Sequence, residues 1–224
     1  MRERLPGRFI VLEGGEGSGK STQAGMLASW LRSQAREVTM AREPGTTPLG
    51  ERIRSTVLGK AELEVPARSE LFLMLAARAA FVDQVVTPAL RRGEVVISDR
   101  FEMSTFAYQG AGRGLPLDEV RSINAFATGG CRPDLTLLLD VDPGEGARRQ
   151  GRQGKSPDRL EAEAADFHER VRAGYRALAA EDPAAIIVPA DPPAAEVHRM
   201  IREAVEAILA ETFAPSRVMD SRPD

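Results

Sequence analysis

The stretch Phe9-Ile10-Val11-Leu12-Glu13-Gly14-Gly15-Glu16-Gly17-Ser18-Gly19-Lys20-Ser21-Thr22 decides how this chain is read. A short apolar run stops at a glycine-rich loop, and the loop ends in Gly-Lys-Ser. Gly14, four residues, then Gly19-Lys20-Ser21 is the phosphate-cradling P-loop pattern in a strand-to-helix context. Small residues let successive backbone N–H groups converge on an anion. The helix that follows aims its positive dipole end at the same point. Lys20 can reach the outer phosphates of a nucleotide, and Ser21 can offer a hydroxyl to magnesium. A plain glycine-rich turn before an ordinary helix would not require strand, loop, lysine, hydroxyl and helix to agree. The pattern implies nucleoside triphosphate binding, with Gly14 through Thr22 as the binding segment, and leaves the reaction open.

Outward from this loop, apolar β-type runs alternate with helical stretches. Candidate strands are Phe9–Leu12, Glu37–Met40, Val95–Ser98, Leu135–Leu139 and Ile186–Val188. They show little polar alternation, as expected of parallel strands covered on both faces. Residues 67–92 place Leu71, Met74, Leu75, Val82 and Val85 at helical spacings, and Val197, Ile201, Val205 and Ile208 do the same near the C-terminus. The pattern predicts an α/β fold of three layers, a five-stranded parallel sheet covered by helices, with a small lid segment at about 144–158. One domain over 1–211 is the economical reading, with 212–224 as a disordered tail. Ligands in such sheets sit beyond the carboxyl ends of the strands.

The bulk composition limits the alternatives. A chain of 224 residues can bury one α/β core with a small insertion. A formal net charge of −3 argues against a broad electrostatic grip on nucleic acid. Cys131 is the single cysteine, which rules out an internal disulfide and points to a reducing cytoplasm. No uninterrupted apolar run reaches the roughly 18 residues of a membrane helix, so no membrane partner is expected.

Several further segments carry chemistry. Val95-Val96-Ile97-Ser98-Asp99-Arg100 ends a strand on a carboxylate and an arginine. Asp99 can sit near magnesium held by Ser21, and Arg100 can contact a phosphate. A strand-end Asp capping a turn is the structural alternative. Asp140 and Asp142 are rivals for the metal role, without an arginine directly after them. Arg148-Arg149-Gln150-Gly151-Arg152-Gln153-Gly154-Lys155 is a basic segment that suits closure over a transferring phosphoryl group, or is a solvated surface loop. Arg42-Glu43-Pro44-Gly45-Thr46-Thr47-Pro48-Leu49-Gly50-Glu51-Arg52-Ile53-Arg54 is a turn that opens a helix near Pro48 and puts Arg54 about two turns along it. Arg78 falls on the apolar stripe of 67–92. A cation there needs a partner, either an internal carboxylate or a ligand carbonyl. Ser104-Thr105-Phe106-Ala107-Tyr108-Gln109-Gly110 gathers hydroxyls, an amide and an aromatic, as base recognition requires or as a glycine-stopped helix end supplies.

Taken together these segments resemble the thymidylate kinase family. The specific elements are Glu-Gly-x-Glu-Gly-x-Gly-Lys-Ser at 13–21, Arg-Glu-Pro-Gly-x-Thr-Pro-Leu-Gly-Glu at 42–51 and Ser-Asp-Arg-Phe at 98–101. They continue with Ser-Thr-x-Ala-Tyr-Gln-Gly at 104–110, Leu-Asp-Val at 139–141 and Asp158-Arg159-Leu160-Glu161. The likeness runs from about Phe9 to Leu209. The arginine-rich lid, paired with a P-loop that lacks arginine, is similar to the bacterial subgroup.

The resemblance implies transfer of the γ-phosphoryl of MgATP to dTMP, which feeds dTTP synthesis. It implies that Lys20 and Ser21 serve the ATP phosphates and Mg2+, with Asp99 assisting the metal. Glu16 would accept from the sugar 3′-hydroxyl. Arg54 and Arg100 would clamp the dTMP phosphate, and Arg78 would meet the thymine carbonyl edge. Ser104, Thr105 and Gln109 would line the base, and Tyr108 would crowd the sugar 2′ position. Arg148, Arg149 and Arg152 would close over the phosphoryl group. The resemblance also implies a homodimer, to which the helix at 67–92 could contribute.

Two positions depart from the family pattern. Met74 replaces an aromatic that stacks on thymine, which predicts a wider pocket or a weaker base contact. Thr46 replaces a glycine, and a left-handed backbone there would strain a threonine. The competing readings are a kinase for another small acceptor and a nucleotide-dependent switch protein. The chain lacks the Asn-Lys-x-Asp base loop expected of a guanine-reading switch.

Overall fold

The strand β1 (Arg8–Glu13) is buried along its whole length and forms the centre of a five-stranded sheet in the order β2-β3-β1-β4-β5. The computed structural model describes residues 5–59, 64–152 and 158–210. The tail expected over 212–224 and lid residues 153–157 lie outside the described residues. All pairings are parallel, with Ile10 opposite Ile97 on β3 (Val95–Asp99) and opposite Leu135 on β4 (Leu135–Asp140). The edges are β2 (Val38–Arg42) and β5 (Ala185–Pro189). The expected burial on both faces holds for β1, β3 and β4. The edge strands are partly exposed, because each lacks a neighbour on one side.

The helices are α1 (Lys20–Ser33), α2 (Pro48–Leu58), α3 (Ala67–Phe81), α4 (Thr87–Arg91), α5 (Glu102–Thr105), α6 (Leu117–Ala127), α7 (Pro143–Arg152), α8 (Ala165–Glu181) and α9 (Ala194–Ala210). Side chains alternate across β1. Ile10 and Leu12 pack with Leu27 and Leu31 of α1 and Ile201 and Val205 of α9. Phe9 and Val11 face the other way, against Phe81, Val86 and Phe101. These two faces make the three layers.

The predicted helix over 67–92 is continuous but contains a π-helical turn at Val82–Val86. Pro88 supplies the reason. It has no N–H for Gln84 and would clash with that carbonyl, so the turn before it widens, with the Thr87 N–H reaching Val82. The stretch Ala67–Arg91, which contains an 18-residue window of mean hydropathy 1.4, is long and apolar enough to cross a membrane by length and composition. Arg78 and Asp83 interrupt it, and Leu71, Met74, Leu75 and Phe81 are buried in the core instead. A second π-helical segment, Phe106–Gly112, follows α5 and carries Tyr108 and Gln109.

Candidate active site

The carboxyl ends of β1 and β3 lie side by side and deliver the P-loop and the Asp99–Arg100 pair to one edge of the sheet. In the P-loop, Gly14 has φ 138° and Gly17 has φ 68°. A Cβ on Gly14 would meet the Leu139 carbonyl oxygen at 2.4 Å, so only glycine fits between β1 and β4. The loop turns into α1 at Gly19. Lys20 lies along the loop and donates from Nζ to the carbonyls of Gly14 (3.1 Å) and Gly15 (2.7 Å) and to the Ser18 hydroxyl. Burial, then the nearby Arg100 cation, lowers the Lys20 pKa, while Glu16 and Asp99 act against that shift.

Ser21 donates from Oγ to Asp99 Oδ2 at 2.6 Å. A hydroxyl in the first turn of α1 and a carboxylate at the end of β3 are hard oxygen donors of the kind magnesium takes alongside nucleotide phosphates. The rivals Asp140 and Asp142 are engaged elsewhere. Asp140 accepts from Arg172 and Arg176, and Asp142 accepts from Arg172 and from the Gly144 N–H at the start of α7. Neither lines the cleft over Lys20 and Ser21.

Two contiguous clefts meet at Glu16, Arg54 and Arg100. One is lined by Gly17, Gly19, Lys20, Ser21, Thr22 and Asp99, with Arg149 and Arg152 across from them. The other is lined by Met74, Arg78, Ser104, Thr105, Tyr108 and Gln109, with Asp158, Leu160 and Glu161 closing one side. The structure therefore brings together every predicted acceptor-side residue. Of the lid arginines, Arg149 and Arg152 reach the cleft. Arg148 does not line it: like Arg149 it pairs with Glu145, at 2.7 Å, but it is largely exposed.

Arg100 holds the wall between the clefts. Its backbone is left-handed, with φ 75°, and its carbonyl accepts from the Ser98 hydroxyl at 2.7 Å. A non-glycine residue in that region marks local strain, which clusters at functional sites. Its guanidinium donates to the Glu16 carboxylate, the Gly14 carbonyl, Ser104 Oγ and Tyr175 Oη. Burial opposes ionisation of Glu16, yet Arg100, Lys20 and the Tyr108 hydroxyl outweigh it and hold that carboxyl at about 2. Burial likewise pushes the Tyr108 phenol well above its ordinary range, so it stays a neutral donor to Glu16.

Arg78 has the internal carboxylate partner that its place on the apolar stripe called for. It is buried, pairs with Glu43 at 2.8 Å, and still lines the acceptor cleft beside Met74. Thr46 sits at φ 67°, the strained backbone anticipated for a non-glycine. Its Oγ1 accepts from the Arg42 N–H (2.9 Å) and donates to the Arg42 carbonyl (3.0 Å), which closes the loop on itself. The loop ends at Thr47, which caps α2 at the Gly50 N–H. Within the same loop, the Pro44 carbonyl accepts from Arg54 Nη1 at 3.1 Å.

Several site residues escaped the sequence reading. Glu13, Glu70, Asn124 and Tyr175 are buried polar groups that hold the predicted residues in place. Glu13 accepts from the Phe101 and Ser104 N–H groups, Ser104 Oγ and Tyr175 Oη. Glu70 gathers Gln109, Arg113 and Arg159. Asn124 follows Val120 by one helical turn on the buried side of α6, and that lone amide on an apolar stripe was the available signal.

A P-loop on a five-stranded parallel sheet, opening onto an arginine-walled second cleft, defines an ATP-dependent phosphotransferase of the P-loop class. A family model described as thymidylate kinase matches residues 12–201. A thymidylate kinase of Desulfovibrio desulfuricans is 46% identical over 208 residues, covering 90% of this chain and 96% of that one. One of Leifsonia xyli subsp. xyli is 50% identical over 197 residues, covering 88% and 93%. The crystal structure of thymidylate kinase from Ehrlichia chaffeensis superposes with a TM-score of 0.71 at 30% identity, covering 89% of this chain and 98% of that one. The chain belongs to the thymidylate kinase family.

Proposed function

We propose that this chain transfers the γ-phosphoryl group of MgATP to dTMP, giving dTDP and ADP, by direct in-line displacement. The observation that carries this reading is the shared wall. Glu16, Arg54 and Arg100 border both the P-loop cleft and the arginine-walled second cleft, so two phosphates can meet there end to end. Lys20 and the P-loop amides grip the donor phosphates. Arg54 and Arg100 orient the acceptor phosphate as the nucleophile. Arg149 and Arg152 neutralise charge on the group in flight. Ser21 and Asp99 would hold magnesium, which would supply charge neutralisation at the donor phosphates. Met74, Ser104, Thr105 and Gln109 receive the base, Arg78 meets its carbonyl edge, Glu16 takes the sugar hydroxyl, and Tyr108 excludes a 2′-hydroxyl.

The chain works as one kinase domain over 1–211, in a reducing cytoplasm and as a homodimer. Leu49, Phe72 and Phe126 support the dimer. They are large exposed apolar side chains on α2, α3 and α6, and α3 packs against both of the other helices. The test is a panel of nucleoside monophosphates and nucleosides with MgATP. Diphosphate formed fastest from dTMP is expected, and a faster product from another acceptor would replace dTMP in this reading.

A further inference from the structure

Arg78 sits in a chain of buried polar groups that runs from the acceptor cleft to a separate cleft beside Glu102. Nε donates to both Glu43 oxygens, at 2.8 and 3.0 Å. Nη2 donates to the Phe101 carbonyl at 2.9 Å, and the guanidinium lies 5.2 Å from the Phe101 ring centre. Nη1 donates to Asn124 Oδ1 at 2.7 Å. Asn124 in turn donates from Nδ2 to Glu102 Oε2 at 2.8 Å. Glu102 borders that separate cleft, and Arg132 Nε lies 3.5 Å from it.

An asparagine amide can present either its oxygen or its nitrogen. Between an arginine, which only donates, and a carboxylate, which only accepts, one orientation satisfies both ends. Glu102 therefore fixes the amide with its oxygen toward Arg78. Without that anchor the amide could turn and set N–H against N–H, leaving buried donors unpaired. Burial raises the Glu102 pKa, and the largest charge opposing it is Arg78. All three nitrogens are thus engaged once, and Nη1 and Nη2 each keep one further N–H, the groups left for the acceptor cleft that Arg78 lines.

We propose that Asn124 and Glu102 are positioning residues for base selection, aiming the free edge of the Arg78 fork at the carbonyl edge of a pyrimidine monophosphate. This rests on the reading of Arg78 as the group that meets the base. A charged fork must be held within a narrow angle to reward a carbonyl over an amino group, and a flexible arginine would reward both.

The experiment compares steady-state kinetics of the full chain and its variants with dTMP and with dCMP, which carries an amino group in place of one carbonyl and lacks the ring methyl, a difference common to wild type and variants. Glu102→Leu is expected to raise the dTMP KM about tenfold. It should narrow the preference for dTMP over dCMP by a similar factor, with the ATP KM within about twofold. Glu102→Gln keeps an acceptor for Asn124 and should retain wild-type values. If Glu102→Leu does not fold, Asn124→Asp serves instead. It keeps an acceptor for Arg78 but sets a like charge against Glu102, and the same dTMP-selective change is expected. Arg78→Met separates the two levels. If it leaves the dTMP KM unchanged, the reading of Arg78 itself falls. If it raises that KM while Glu102→Leu or Asn124→Asp lowers only the melting temperature, the positioning role alone is overturned.

Discussion

Gly17 and Gly146 touch main chain to main chain. A Cβ on Gly17 would lie 2.2 Å from the Gly146 carbonyl oxygen, and a Cβ on Gly146 would lie 2.2 Å from the Glu16 carbonyl oxygen. The first turn of α7 is thus seated directly on the P-loop, and α7 carries Arg149 and Arg152 into the cleft. Backbone cannot give way as a long side chain can, so a methyl group at this contact must displace the helix.

Gly146→Ala should therefore misplace Arg149 and Arg152 while leaving the acceptor cleft intact. The expected outcome is a fall in kcat of at least about tenfold, since an electrostatic clamp loses its effect with misplacement on the ångström scale. Calorimetric binding of dTMP should be unchanged. Wild-type turnover in this variant would show that α7 is not held by the glycine contact.

Lys20→Ala removes the cation that lies along the P-loop beside Gly14, Gly15 and Ser18. Turnover should fall by about a hundredfold or more, the scale for losing one preorganised charge at a transition state. Circular dichroism should show the fold retained, because the sheet and its two core faces do not depend on this side chain. Near-normal turnover would count against the P-loop as the donor site.

Thr46 offers a stability test with a defined order. Thr46→Ala and Thr46→Gly both lose the two hydrogen bonds to Arg42, but only alanine keeps a Cβ at φ 67°. A left-handed Cβ costs about 1–2 kcal/mol. The alanine variant should accordingly unfold at lower denaturant than the glycine variant, offset in part by the greater unfolded-state entropy of glycine. Equal midpoints would mean that the strain is relieved elsewhere in the loop.

Glu16 predicts an acid limb. Its carboxyl lies at about 2 in the folded chain against an ordinary 4.5, with Arg100 the chief stabilising charge. A depressed folded value means that the stabilisation is complete above about pH 4.5 and is lost as pH falls toward 2. The contribution is at most about 3 kcal/mol. Glu16→Gln should show a smaller fall in stability than wild type when urea unfolding is compared at pH 5.5 and pH 3. Parallel losses in the two proteins would remove Glu16 as the source.

Much of the site was legible in the sequence where chemistry and local geometry coincide. Lys20 and Ser21 follow a fixed loop-to-helix spacing, and Asp99 and Arg100 stand at the end of an apolar strand run. Arg78 stood out because a cation on an apolar stripe demands a partner. Its partners Glu43 and Asn124 lie 35 and 46 residues away in the chain and carry no local signature of that pairing. Arg148 shows the converse. It reads like its neighbours Arg149 and Arg152, yet it is largely exposed and stays out of the cleft that they line.

The sequence by itself determined the alternation of strands and helices, the phosphate loop and the set of charged residues that must converge, because each of these depends on neighbours within a few positions. Tertiary structure alone decided which of those charges meet, which carboxylate keeps which arginine, and that a bare glycine pair seats α7 on the loop. Those outcomes turn on burial and on distances between segments remote in the chain, where a buried charge without a partner is costly and a single methyl group exceeds the space available.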